Sequence, residues 1–271
     1  MNSFNIPATT EDLDERYLRD NILMVHIGRS GSTVLADLLD KNSQIRWGGE
    51  IYHTLMSFYQ VLSSKNGEVR FTGDPIAYTR NAMKGCRKRY FGFELKFFHL
   101  KYLNQTLPEY LTAIRQIGVD RIIVLERRNY LRKIVSSQIA SLTNVWHSRH
   151  SASQLTRIAL KVDDLCLDHD RKSLLEFLYG YEDSFNALYS FLSSQRLFRR
   201  SDILHLTYED DVAPDPQIGY RHVCEFLRVS CEPVSTRFKK TTPFKLRQIL
   251  TNYEEVQSTL EGTPFCWMLE E

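Results

Sequence analysis

Asn21-Ile22-Leu23-Met24-Val25-His26-Ile27 runs without a break into Gly28-Arg29-Ser30-Gly31-Ser32-Thr33, and this stretch decides the fold. The first seven residues form a short, largely apolar run of the kind that a strand covered on both faces requires. The Gly/Ser segment predicts a turn. Val34, Leu35, Leu38 and Leu39 then fall on one helical face before Lys41-Asn42-Ser43 supplies a stop. Strand, turn and helix in that order aim unpaired backbone N–H groups and the positive helix end at one spot, a natural seat for phosphate. Gly31 allows close approach of the backbone, Ser32 and Thr33 add hydroxyl donors, and Arg29 adds a fixed charge able to hold phosphate oxygens in pairs. Ser30 or Ser32 also reads simply as a helix cap. The triphosphate pattern Gly-x-x-x-x-Gly-Lys-[Ser/Thr] is absent, which disfavours a kinase or GTPase.

A second unit repeats the plan. Asp120 to Glu126 reads as a buried strand that passes through Arg127-Arg128-Asn129 into a helix from Tyr130 to about Leu142. Arg132, Ser136 and Ala140 share a stripe of that helix distinct from Leu131, Ile134 and Ile139, so Arg128 and Ser136 could converge on a second phosphate. An exposed basic strand end with a solvated helix face is the plainer alternative.

Around these units, helices are expected over Ile51–Leu62, Ile76–Arg89, Leu107–Ile117 and Leu174–Leu192, and strands over Phe91–Phe98 and Asp202–Tyr208. A further helix is expected around Tyr220–Leu227. Residues 144–170 are weakly patterned and suit a surface excursion, a lid or a substrate-loop insertion. With a polar N-terminal extension over 1–20 and no repeat or low-complexity linker, the chain reads as one domain spanning 1–271. Alternating strands and helices predict the α/β class, a mainly parallel central sheet flanked by helices.

Composition narrows the partners. The 35 basic and 33 acidic residues leave a net charge of +2, which gives no global field for nucleic acid or a membrane surface. No run of about 18 apolar residues predicts an integral membrane segment. The five cysteines are scattered, without Cys-x-x-Cys or zinc-type spacing, so no metal is expected and a reducing, cytoplasmic setting is.

Together the two motifs resemble the superfamily of sulfotransferases that use 3′-phosphoadenosine 5′-phosphosulfate (PAPS), and more closely its bacterial carbohydrate and small-molecule branch. In that family the first loop reads Arg/Lys-Ser-Gly-Ser/Thr-Thr, as Arg29-Ser30-Gly31-Ser32-Thr33 does, and holds the 5′-phosphosulfate. The second unit holds the 3′-phosphate with an Arg and a Ser eight residues later, matched by Arg128 and Ser136. The likeness extends to Leu206-Thr207-Tyr208-Glu209-Asp210 and is thin between 144 and 200. It implies a P-loop-like fold, PAPS as sulfuryl donor with PAP as product, and a small-molecule or carbohydrate acceptor.

The resemblance also implies a catalytic glutamate after the first helix, which falls on Glu50 in Trp47-Gly48-Gly49-Glu50-Ile51-Tyr52. With Arg29 beside the leaving phosphate, Glu50 is the expected base. A first-turn carboxylate is its structural alternative, and His53 and His99 are alternative bases. Lys96 stands at the end of a strand with its role open. Lys239, Lys240 and Thr241 resemble the late family loop over the nucleotide. A kinase with an atypical loop and a non-catalytic anion-binding protein are the competing functions.

Overall fold

The computed structural model describes residues 20–53, 73–149, 154–194, 197–239 and 242–270. Five strands, β1 (Asn21–His26), β2 (Ile45–Trp47), β3 (Tyr90–Lys96), β4 (Val119–Glu126) and, later in the chain, β7 (Ile203–Thr207), form one all-parallel sheet in the order β2-β3-β1-β4-β7. The class is α/β, as the alternating pattern predicts. Every residue of β1 is buried, which explains why it reads as a continuous apolar run.

Helices cover both faces. On one, α1 (Ser32–Lys41) and α7 (Pro216–Leu227) pack over Ile22, Met24, Ile123 and Leu125. On the other, the core joins Leu23, Val25, Ile122 and Val124 to α2 (Pro75–Lys84), α3 (Phe97–Leu103), α4 (Leu107–Gln116), α5 (Tyr130–Thr143), α6 (Leu174–Ser194), α8 (Leu246–Ile249) and α9 (Tyr253–Leu260). The chain winds from β1 outward through β2 and back to β3, then crosses to β4. The carboxyl end of β1 is therefore the point where the winding reverses, the place where open α/β sheets bind ligands.

Two expected boundaries move. The strand expected over Phe91–Phe98 stops at Lys96, because the His99 imidazole accepts the Lys96 amide and starts α3 at Phe97. The helix expected over Ile76–Arg89 ends at Lys84, one residue before Gly85. Lys88, past that helix, donates to the carbonyls of Asp40, Asn42 and Ile45 and so ties down the end of α1. Within the weakly patterned 144–170 stretch, Ile158, Leu160, Val162, Leu165 and Leu167 are buried, and a hairpin of β5 (Leu165–Leu167) and β6 (Asp170–Lys172) packs beside α5. Of the helix expected over Ile51–Leu62, residues 51–53 are helical and 54–62 lie outside the described residues, as do 1–19 of the N-terminal extension. No helix among the described residues is long and apolar enough to cross a membrane.

Candidate anion and acceptor site

The loop between β1 and α1 turns on three left-handed residues. Gly28, Arg29 and Gly31 have φ of 78°, 53° and 79°, and the chain reverses tightly enough to start α1 at Ser32. Gly31 is the helix cap and brings no side chain to it, so the Ser32 and Thr33 amides meet no acceptor among the described residues. A Cβ on Gly31 would lie 2.6 Å from Val212 Cγ1 and 3.1 Å from Tyr208 Cδ2, in the turn that follows β7.

Beneath the loop sits a buried polar assembly that the sequence reading does not anticipate. The Gly28 amide donates to His26 Nδ1 (3.0 Å), which places the ring proton on Nε2, 3.0 Å from Glu94 Oε2 in an off-axis contact. Trp47 Nε1 donates to Glu94 Oε1 at 3.0 Å, and its ring fits because residue 92 is glycine: a Cβ there would lie 2.2 Å from the indole. Burial pushes the Glu94 carboxyl up, and the nearby His26 ring with the Trp47 and Ser32 donors outweighs it and holds the group below the usual range. The signal was in the sequence, as two polar residues inside buried strands. A lone polar residue does not name its partner.

Arg29 reaches across to α5. Its Nε donates to Ser136 Oγ (3.1 Å) and its Nη1 to the Trp146 carbonyl (2.5 Å), so the first loop and the second unit meet at Ser136. Thr242 Oγ1 lies 3.3 Å from the same hydroxyl, and Arg132 holds the Thr242 and Phe244 carbonyls. Lys240 and Thr241 lie outside the described residues, between Lys239, whose amide donates to the Ser148 carbonyl, and Thr242.

Arg128 does not meet Ser136 in this structure. Its guanidinium pairs with Asp210 (2.7 Å) and lies 3.8 Å from Glu209, both in the turn after β7. Its neighbour Arg127 turns inward instead. Arg127 continues the Ile123, Leu125 face of β4, lies over the Tyr208 ring (4.5 Å to the centroid) and donates to the Arg29 carbonyl (2.6 Å). Burial lowers its guanidinium to about 10, with Tyr208 and Glu209 pulling the other way, so it stays charged at neutral pH.

Glu50 is brought to the same edge by backbone pairing that extends β2. Gly48 N donates to Gly92 O (2.7 Å) and Glu94 N to Gly49 O (2.9 Å). The next turn is pinned from the core, where the Tyr52 hydroxyl bonds those of Thr79 and Tyr110. The Glu50 carboxylate pairs with Lys96 Nζ at 2.5 Å, and the Lys96 stem runs past Gly28, whose built Cβ would lie 3.3 Å from Cε. His53 is exposed one turn on, its amide bonded to the Glu50 carbonyl. His99 is fully buried, and burial with the nearby Lys96 charge holds its imidazole well below the usual range, as a neutral helix cap.

The electrostatics of this edge are those of crowded like charges. Burial first, then Lys96 and Arg29, lower Lys133 against the pull of Asp168, and Arg132 and Arg29 act in the same sense on Arg127. An anion placed among them relieves that repulsion. The sequence matches no family model and no curated protein.

Proposed function

We propose that this chain is a PAPS-dependent sulfotransferase that transfers a sulfuryl group to a hydroxyl of a small-molecule or carbohydrate acceptor. One observation carries the reading: the glycine-capped helix end and the Arg29 side chain lie at the same sheet edge as a carboxylate, Glu50, paired to Lys96 beside Gly28. Ser30 to Thr33 and Arg29 would hold the 5′-phosphosulfate. Ser136 and Thr242, with Arg128 once released from Asp210, are suited to the 3′-phosphate.

In the transfer, the acceptor oxygen bonds to sulfur as the bond from sulfur to the 5′-phosphate oxygen breaks. Glu50 takes the acceptor proton, and the charge gathering on the departing phosphate is met by Arg29 and the α1 amides. Lys96 holds the Glu50 carboxylate in place and sits between base and loop. The five cysteines are free thiols, which suits a reducing cytoplasmic setting.

The test is thermal denaturation with ligands, followed by transfer. PAP should raise the melting temperature, and ATP with Mg²⁺ should do little. Glu50→Gln should keep that PAP shift and lose about 10²- to 10⁴-fold in the rate of ³⁵S transfer from labelled PAPS. Stabilisation by ATP with Mg²⁺ and none by PAP would make the chain a kinase instead.

A further inference from the structure

The two-residue turn between β5 and β6 is built from Asp168 and His169, and both are left-handed, with φ of 52° and 62°. Two such residues in succession make the type I′ hairpin turn, which favours Asn-Gly or Asp-Gly because the second position strains any side chain. Here that position carries an imidazole. The strain is held by a buried assembly: Lys133, in the middle of α5 and fully buried, donates to the Asp168 carboxylate and to the Tyr181 hydroxyl (2.6 Å), and Tyr181 donates to Asp168 (2.6 Å). Gln138 adds a bond to the Cys166 carbonyl.

The strained residue faces the reaction edge. The His169 ring lies 5.6 Å from Phe98 and 5.3 Å from Tyr102, and Phe98 in turn lies 5.5 Å from Lys96 Nζ, the partner of Glu50. The formal charges along this wall already have partners of opposite sign: Glu50 with Lys96, Asp168 with Lys133, and Asp170 with Lys101 and Lys172. An anionic acceptor would compete with a carboxylate for its lysine, and a cationic one with a lysine for its carboxylate. A hydroxylated ring would not, because a neutral imidazole carries one donor and one acceptor nitrogen and the aromatic face takes the ring's C–H surface.

We infer that the β5–β6 tip is the acceptor-side wall of the site, where His169 grips an uncharged, polyhydroxylated ring against Phe98 beside the Glu50–Lys96 pair, with Lys133, Asp168 and Tyr181 as positioning residues. The inference rests on the sulfotransferase reading. A purely structural residue at this turn would be improved by glycine, so function and stability pull in opposite directions at His169.

The experiment uses the full chain with PAP bound and its histidines ¹³C-labelled at Cε1, titrated with methyl α-glucoside and, separately, with glucuronate. The His169 resonance, assigned by its loss in His169→Gly, should move saturably with the glucoside and less with glucuronate. His169→Gly should melt at the same temperature or slightly higher and bind PAP unchanged, yet lose about tenfold or more in ³⁵S transfer to the glucoside, the scale of one lost hydrogen bond. Asp168→Asn, which keeps the imidazole and loosens the tip, should weaken glucoside binding about threefold or more. A resonance unmoved by the glucoside, a stronger response to glucuronate, or full transfer by His169→Gly overturns the inference while PAP binding stands. Failure of the wild-type chain to bind PAP overturns instead the donor reading beneath it.

Discussion

The two strand-turn-helix units sit on neighbouring parallel strands, yet they finish their helices in opposite ways. At α1 the cap is Gly31, and the first amides meet no protein acceptor among the described residues. At α5 the Asn129 side chain accepts the Arg132 amide, and the Glu209 carboxylate, delivered from the turn after β7, accepts the amides of Arg128 (3.0 Å) and Asn129 (3.1 Å). The same topology therefore yields one helix end whose first amides have no protein acceptor among the described residues and one already neutralised by the chain's own carboxylate. A phosphate bound at the second unit, as proposed, would have to be held by side chains, Ser136 and its neighbours, because the helix amides there are already taken.

The strongest way to break this contrast is Gly31→Ala. The methyl meets Val212 at 2.6 Å in a backbone with φ of 79°, so the variant should lose about 2–4 kcal/mol of stability in urea melts. The PAP-induced thermal shift should vanish with it. A variant as stable as the parent would mean that the loop does not depend on close contact with the turn after β7.

The adjacent arginines give the next comparison. Arg127→Met removes the donor to the Arg29 carbonyl inside the protein and should cost about 2 kcal/mol, whereas Arg128→Met removes a half-exposed ion pair worth under about 1 kcal/mol. Chemical denaturation of the two variants measures the difference directly. Equal losses would show that the buried guanidinium does not support the loop.

The strand ends themselves mark how far the sequence could be read. The apolar runs of β1 and β4 and the glycine-serine turn were legible because hydrophobic periodicity and turn chemistry are local. The inward turn of Arg127 was also there to be read, since it shares the pleat side of Ile123 and Leu125. What pairs with what was not: Lys133 meets Asp168 and Arg29 meets Ser136 across long stretches of chain, and only the folded sheet brings them together. The stop of β3 at Lys96 was hidden because Phe97-Phe98 reads as strand, while a single imidazole-to-amide bond makes it helix.

That imidazole supplies a third kind of helix end, capped by a neutral base, and a pH test. His99 in the fold resists protonation that it accepts when unfolded, so below about pH 6.5 the unfolded state binds the extra proton. Stability attributable to this site is therefore complete above that pH and falls on acidification by up to about 1.4 kcal/mol per pH unit. His99→Asn should flatten the slope between pH 6.5 and 5 in urea melts. An unchanged slope would assign it to other groups.

The smallest expected effect discriminates most finely between the two units. Asp210 is exposed and its pair with Arg128 contributes under about 1 kcal/mol to stability, so Asp210→Asn should melt almost as the parent does. Its effect on ligand is different. If Arg128 serves the 3′-phosphate, each binding event must first take the guanidinium from Asp210, and removing that competitor should tighten PAP by about three- to tenfold, a gain that shrinks at high salt. Plain 5′-AMP, which offers Arg128 no phosphate, should bind as before, and calorimetry with both nucleotides reads the contrast. Unchanged PAP affinity would leave Arg128 to the surface and assign the second phosphate to Arg29, Ser136 and Thr242, the side chains that already meet across the two units.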